Sequence, residues 1–260
     1  MHKQTVREAD PLSRGAAASR FAAGMRMEPV IRQLSRWAPL SADELSAVRD
    51  LDDRRKEHEP GAAFATEGSV LNVSRFLVSG WACHQQLMRD GRRQIFSFLL
   101  PGDILRGSYI SHSRFPAVAS TVALTPLITV ELPKVGINAI TGATPIFTRA
   151  ISAAIQDSEM RLRDHVLRLG RMNAVERMAH LLLELLDRLT AVGLSDGYRL
   201  PFPLTQDVLA DGLGLSVVHV NRTMQHLRRI KAIEYSTGEI LITARNQLDA
   251  LAQCRAPMAS

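Results

Sequence analysis

Four side chains between Ser216 and Lys231 are basic, and none in that stretch is acidic. The four are Arg222, Arg228, Arg229 and Lys231. A guanidinium presents several N–H donors in one plane, which suits phosphate oxygens and the paired O6 and N7 acceptors of guanine. These residue types therefore favour a polyanionic partner, and a helix that carries them suits the major groove of DNA.

The segment that must position these arginines is 204–230, LTQDVLADGLGLSVVHVNRTMQHLRRI. Thr205 and Ser216 are typical N-cap residues, because a hydroxyl accepts from a free backbone N–H at a helix start. Gly214 lies between the two predicted helices, where a turn with positive φ favours glycine. The segment predicts a helix-turn-helix.

Apolar spacing assigns faces to the second helix and predicts a wing after it. Short strands are predicted at 233–235 and 240–243, with a turn at Thr237-Gly238. A pair of amphipathic helices in an ordinary bundle is the alternative interpretation. The predicted inner face carries Val220, Met224 and Leu227, and the predicted outer face carries Val217, Val218, Asn221, Arg222 and Gln225.

The composition limits the function classes. The chain has 260 residues, a net charge of +6 and two cysteines, Cys83 and Cys254, which excludes a four-cysteine metal site within one chain. The sequence has no apolar run of about 20 residues that would span a membrane, so a soluble, cytoplasmic protein is expected. Residues 1–27 are rich in alanine and arginine and predict a disordered tail.

Residues 28–142 are predicted to form a β-sandwich or jelly-roll domain. Ser41 and Glu44 predict a capping box ahead of an initial helix. From 61 to 132, short strands alternate with turn signals and no helical pattern intervenes. Asp90-Gly91 predicts a type I′ turn between strands at 81–88 and 94–100.

A long helix is predicted within residues 143–172. Thr144-Pro145 favours its start, Gly170 is the predicted end, and Asn173 with Glu176 predicts a new N-cap. Its apolar stripe is long enough to suggest a parallel partner helix from a second copy, and a helix that lies on its own β-domain is the alternative. The stripe consists of Phe147, Ile151, Ala154, Ser158, Leu162, Val166 and Leu169, at steps of 4, 3, 4, 4, 4 and 3.

The order of these elements resembles the Crp/Fnr family of bacterial transcription regulators. LTQDVLADGLGLSVVHVNRTMQHLR and DGRRQIFSFLLPGD carry the resemblance most specifically, and it covers about residues 28–250. It implies an α+β protein with a sensor domain (28–142), a dimerisation helix (143–172) and a winged helix-turn-helix domain (173–260). It also implies a homodimer on an inverted repeat in double-stranded DNA, with RNA polymerase as a candidate partner.

The resemblance also implies roles for particular residues. Val217, Val218 and Arg222 match the base-reading positions. Much of the family has a glutamate at the position of Val218, which accepts from cytosine N4, so a different half-site is expected here. The positions that match phosphate contacts are Thr205, Ser216, His219 and Gln225.

The sensor domain departs from members of known effector. Members that bind cyclic AMP have a glutamate soon after the Pro-Gly-Asp turn and an arginine further on, and here neither 104–109 nor FPAVAST (115–121) supplies them. Arg106 and Arg114 are nearby candidates for another anion geometry. Residues 1–60 also lack the cysteines of iron–sulfur members. No cofactor is expected, and the effector stays unidentified.

Other function classes remain as alternatives. A jelly roll can be a cupin-type metalloenzyme, but His84 and His112 are isolated and no His-x-His pair occurs, so neither catalysis nor a metal is expected. Cys83-His84 is a conceivable redox element, although a small strand residue beside a surface histidine is favoured. A winged helix that binds another protein is the third class.

Overall fold

The computed structural model describes residues 27–70, 73–105, 116–117, 119–133 and 145–253. The helices in these ranges are α1 (Glu28–Ser35), α2 (Ala42–Asp50), α3 (Pro145–Arg171), α4 (Ala174–Ala191), α5 (Gln206–Leu213), α6 (Val217–Arg229) and α7 (Arg245–Ala252). The strands are β1 (Arg55–His58), β2 (Ala63–Ala65), β3 (Val73–Ser79), β4 (Ala82–Leu87), β5 (Arg93–Leu99), β6 (Ile104–Leu105), β7 (Ser120–Ala123), β8 (Leu127–Pro133), β9 (Arg199–Pro201), β10 (Ile233–Ser236) and β11 (Glu239–Ile242).

The N-terminal domain consists of two antiparallel sheets that share an apolar core. Their strand orders are β1-β8-β3-β6 and β2-β7-β4-β5. Leu77 and Leu127 from the first sheet pack with Ala82, Leu99 and Ala123 from the second. This arrangement, followed by the C-terminal helices, confirms the predicted α+β fold class.

The N-terminal boundary of the fold lies close to the predicted one. Ser41 and Glu44 form the predicted capping box of α2. Met27, which the predicted tail included, is instead buried with Val30 and Leu34 of α1, because it packs into the core beside β3 and β8. The rest of the predicted tail lies outside the described residues.

The β4–β5 hairpin is present, but its predicted turn type is wrong. A type I′ turn requires positive φ at both central residues. Gly91 has a φ of 85°, whereas Asp90 is not among the described residues of positive φ. The loop is one residue longer: Met88 N donates to Arg92 O, and Gly91 N donates to Met88 O. The Asp90 carboxylate accepts from Arg92 N and so stabilises this wider loop.

The predicted long helix, α3, starts at Pro145 and ends one residue beyond the predicted end. Gly170 lies inside its last turn, and the break falls at Met172 and Asn173. Asn173 Oδ1 accepts from the backbone N–H of Val175 and Glu176, and Glu176 accepts from Asn173 N at 2.8 Å. This capping box confirms the predicted start of α4.

Only part of the apolar stripe on α3 can be located. The side chains of Phe147, Ile151 and Ala154 lie outside the described residues. Ser158 and Leu169 are half-buried, whereas Leu162 is 49% and Val166 is 64% exposed. Leu162 and Val166 are therefore not buried against the chain's own β-domain.

The C-terminal domain has the predicted wing and one strand that was not predicted. β10 and β11 pair antiparallel, and β9 pairs with the outer edge of β11. β9 ends at Pro201, and proline is tolerated on such an edge strand because its missing N–H faces away from the ladder. In the described part of the chain, no helix is long and apolar enough to cross a membrane.

Candidate nucleic-acid interface

The helix-turn-helix forms through the local interactions that its sequence predicts. Thr205 Oγ1 accepts from Val208 N at the start of α5, and Ser216 Oγ accepts from His219 N at the start of α6. Between them, Gly214 has a φ of 61°. A left-handed residue at this point ends α5 and lets the chain turn directly into α6.

The buried face of α6 differs from the predicted one at one position. Val220 and Leu227 are fully buried, as predicted, and Met224 is half-buried. Thr223 is also buried, at 5% exposure, although polar residues usually lie outside. Thr223 lies three residues after Val220 and four before Leu227, a spacing that indicates the buried face. Its polar side chain indicated exposure instead, so its burial was not predicted.

The outer face of α6 presents two aliphatic side chains beside a guanidinium. Val217 is 38% and Val218 is 59% exposed, and Arg222 and Gln225 are also exposed. Asn221, predicted on this face, is half-buried. Arg222 forms no ion pair within the described residues. The face is thus free to take acceptors and methyl groups from a partner.

The residues that match phosphate contacts lie mainly at helix starts. Thr205, Ser216 and His219 are exposed there, and the His219 ring lies 3.2 Å from Ser216 Oγ. Free N–H groups and the helix dipole make such ends favourable for anions. Gln225 lies separately, toward the other end of α6. No carboxylate occupies the first turn of α6.

A cleft of about 550 Å³ separates the end of α6 from β10. The β10 side of the cleft was not predicted, because the strand pattern does not indicate which of its residues face the helix. Its walls combine two guanidiniums with a single carboxylate, so a basic groove continues from α6 to the wing. The cleft is lined by Gln225, Arg228, Arg229, Ile233, Glu234 and Tyr235.

The β2-β7-β4-β5 sheet holds the first helix of the helix-turn-helix. Arg93 of β5 pairs with the Asp211 carboxylate at 2.6 Å, and Gln94 donates to the Asp211 carbonyl. A Cβ on Gly212 would lie 2.9 Å from the Phe98 ring, so a glycine is needed for this close approach. More than a hundred residues separate these partners, and no local pattern predicts the contact.

Arg177 joins the long helix to the same region. Its guanidinium donates to the carbonyls of Leu169 and Met172 at the end of α3, and to that of Leu213 at the end of α5. The last carbonyls of a helix have no partner within it. One planar side chain therefore satisfies both helix ends and fixes their relative orientation.

The structure does not support the redox element considered at Cys83-His84. Burial raises the pKa of the Cys83 thiol to about 12, which leaves little reactive thiolate. His84 is half-buried and contacts Thr121 Oγ1 at 3.0 Å. Among the described residues, no three His, Cys, Asp or Glu side chains come together in a way that would hold a metal ion.

Two family models match the chain over the two domains. Residues 55–142 match the cyclic nucleotide-binding domain, and residues 176–251 match the Crp-like helix-turn-helix domain. A β-sheet domain of the cyclic nucleotide-binding type joined to a Crp-like helix-turn-helix defines a class of bacterial regulators.

Relatives over most of the chain identify the family. The nitrogen fixation regulation protein FixK of Bradyrhizobium diazoefficiens is 30% identical over 85% of this chain and 91% of its own. The anaerobic regulatory protein of Haemophilus influenzae is 26% identical over 84% of each chain. The structure of FixK2 from Bradyrhizobium japonicum matches with a TM-score of 0.67 at 24% identity, over 78% of this chain and 98% of that one. The chain belongs to the Crp/Fnr family of transcription regulators.

Arg177→Lys tests the contact between the ends of α3 and α5 without changing the net charge. An ammonium group cannot present the planar fork that reaches three carbonyls. We expect a loss of about 2 kcal/mol in the free energy of unfolding, because buried acceptors lose their partners. Urea denaturation measures this change. Arg171→Lys, at an exposed position of the same helix end, is the control and should be nearly neutral; equal losses would contradict the assignment.

Proposed function

We propose that the protein is a homodimer that binds an inverted repeat in double-stranded DNA and regulates transcription from it. The observation that carries the proposal is the outer face of α6, where Arg222 and exposed valines lie together with no acidic side chain on the helix. We further propose the division into a tail (1–27), a sensor domain (28–142), a dimerisation helix (143–172) and a DNA-binding domain (173–260).

The exposed stripe on α3 supports the dimer. Large apolar side chains such as Leu162 and Val166 are stabilised when a partner removes them from water. Helices that pair in parallel bury such a stripe along a two-fold axis. The same pairing would set the two copies of α6 at a fixed separation, which suits two half-sites about one helical turn apart.

Leu162→Glu should break the dimer at micromolar concentration. The two-fold axis would bring two carboxylates together in an apolar contact, at a cost of several kcal/mol. Sedimentation equilibrium measures the change. Met160→Glu is the matched control, because Met160 is 47% exposed but lies on the opposite side of α3. A Leu162→Glu variant that stays dimeric would contradict the proposal.

We propose that Val217, Val218 and Arg222 contact bases. The Arg222 guanidinium suits guanine O6 and N7, and the valine methyls suit the thymine C5-methyl group. Valine has no acceptor for cytosine N4, so each half-site should combine a guanine with adjacent A·T pairs. Phosphate contacts from Thr205, Ser216, His219 and Gln225 would set the register without reading sequence.

Selection of bound duplexes from a random library tests these roles. Arg222→Ala should cost about 1–3 kcal/mol per half-site and relax the preference at one base pair. Gln225→Ala is the control on the same helix face, and it should weaken all sequences alike. If Arg222→Ala left the selected motif unchanged at every position, the proposed docking would be wrong.

The effector is proposed to differ from cyclic AMP. The sequence lacks the phosphate arginine and the ribose glutamate of members that bind it, and Arg106 and Arg114 lie outside the described residues. Cyclic AMP should therefore bind no tighter than about millimolar. Titration calorimetry measures this affinity, and a micromolar dissociation constant would overturn the proposal. RNA polymerase remains a candidate partner, and no surface is assigned to it.

A further inference from the structure

A buried cluster of charged groups lies where the sensor domain, α3 and α4 meet. At its centre is Arg168 of α3, which is 2% exposed. Its guanidinium contacts Nδ1 of His165 at 3.4 Å and Nδ1 of His180 at 2.9 Å, and it pairs with the Glu184 carboxylate. Two imidazoles from two different helices therefore share one arginine.

The protonation state of both imidazoles follows from this geometry. A guanidinium has only donors and stays charged at any ordinary pH. Each histidine Nδ1 must therefore accept, which requires an unprotonated nitrogen with a free lone pair. A proton at either Nδ1 would set a donor against a donor and place a second positive charge beside Arg168.

The acids that lie inside the cluster are already paired with guanidiniums. Glu184 also pairs with Arg188, Arg188 pairs with Asp103, and Asp103 faces Arg161 at 3.6 Å. Asp157 pairs with Arg161. Together with Arg168, these buried and half-buried groups comprise three carboxylates and three guanidiniums. The charges balance only while both histidines are neutral.

One further acid faces the cluster from its edge. Asp164 is 43% exposed and lies 3.9 Å from the exposed Arg163, so solvent screens it. On the sensor side, the backbone of Ile95 in β5 faces His165. The cluster is thus bounded by α3, α4, β5 and the turn at Asp103.

The position of the cluster connects it to the DNA-binding domain. Asp103 follows β5, the strand that holds Asp211 of α5 through Arg93. Arg188 and Glu184 lie on α4, which enters the same apolar core as α5 and α6. Loss of the cluster would therefore weaken the attachment of α4 to α3 and to the β-domain, which the shared apolar core and the Arg93 contact with Asp211 also support.

We propose that His165 and His180 form a proton-binding site, and that proton uptake opens this junction and weakens DNA binding. The proposal rests on the proposed function, because its biological readout is affinity for an operator. We call the arrangement seen in the structure the closed junction. The closed junction binds no proton at the pair, and the open one binds it readily, so protons shift the population towards the open form.

The pKa values of the pair support this direction. Burial, and then the charge of Arg168, lowers the pKa of His165 to about 4, although Glu184 and the Ile95 backbone oppose the shift. Burial and Arg168 also lower the pKa of His180, opposed by Glu184 and Asp164. Because the closed-state pKa lies below the ordinary 6.5, the closed junction is favoured above 6.5 and is lost as the pH falls towards 4.

The test compares the wild type with a His165→Asn/His180→Asn double variant. Asparagine keeps an acceptor oxygen near the position of Nδ1 and does not titrate. Binding to a duplex selected at pH 8 is measured from pH 8 to pH 5.5. We expect wild-type affinity to fall about tenfold over this range. The double variant should keep its pH 8 affinity down to pH 5.5.

Three controls keep the outcome interpretable. His84→Asn, on β4 away from the cluster, should follow the wild type, and His180→Asn alone should remove part of the pH response. Urea denaturation of the free protein should show that the stability of the wild type falls with pH more than that of the double variant. This measurement also identifies a variant that misfolds. Parallel wild-type and double-variant profiles in both measurements would overturn the proposal. Failure of all variants to bind any duplex at pH 8 would instead reject the proposed function.

Discussion

The position of α6, the second helix of the helix-turn-helix, depends on an apolar core that two domains share. Trp81, which precedes β4, and Ile95 and Phe98 of β5 pack in one cluster with the buried leucines of α4 and α5. Apolar surface is stabilised only where it is kept from water, so separating the domains would expose both halves of this cluster. The orientation of α6 is therefore a property of the whole protomer and not of the helix-turn-helix alone.

Polar contacts around this core fix the relative orientation of the two domains. The apolar contact is non-directional, whereas Arg177 and the pair of Arg93 with Asp211 accept only one arrangement of their partners. Removing such a contact leaves buried acceptors without donors, which costs more than the contact contributes when made. The domain boundary is thus both stable and specific.

Charge is distributed in two opposite ways along the chain. At the junction, arginines are buried and matched by carboxylates, because an unpaired buried charge is costly. On α6, Arg222 and Arg228 are exposed and lack carboxylate partners among the described residues, so their charges are available to a polyanion. Arginine therefore stabilises the fold at the junction, whereas on α6 it is available for binding.

Caps and turns, which depend on nearby residues, could be predicted from the sequence, whereas contacts between residues far apart in the chain could not. The caps at Thr205, Ser216 and Asn173 and the turn at Gly214 depend on neighbours within four residues, and each is present. The Arg93 contact with Asp211 joins residues 118 positions apart, so no spacing rule could find it.

The predictions that were wrong, for the buried face of α6 and for the end of α3, also have physical explanations. Thr223 is polar yet buried, and Gly170 lies inside α3 because the cap at Asn173, not the glycine, sets the break. The base-contact and phosphate-contact roles stay predictions, since helix exposure is necessary for them but does not establish them.

Hydroxyl-radical footprinting on a selected duplex is the most direct test of dimeric DNA binding through α6. A dimer that places one α6 in each of two successive major grooves should protect two patches on one face of the DNA. We expect the two patches to be related by two-fold symmetry and centred about one helical turn apart. A single protected patch without two-fold symmetry, at concentrations that saturate the duplex, would contradict it.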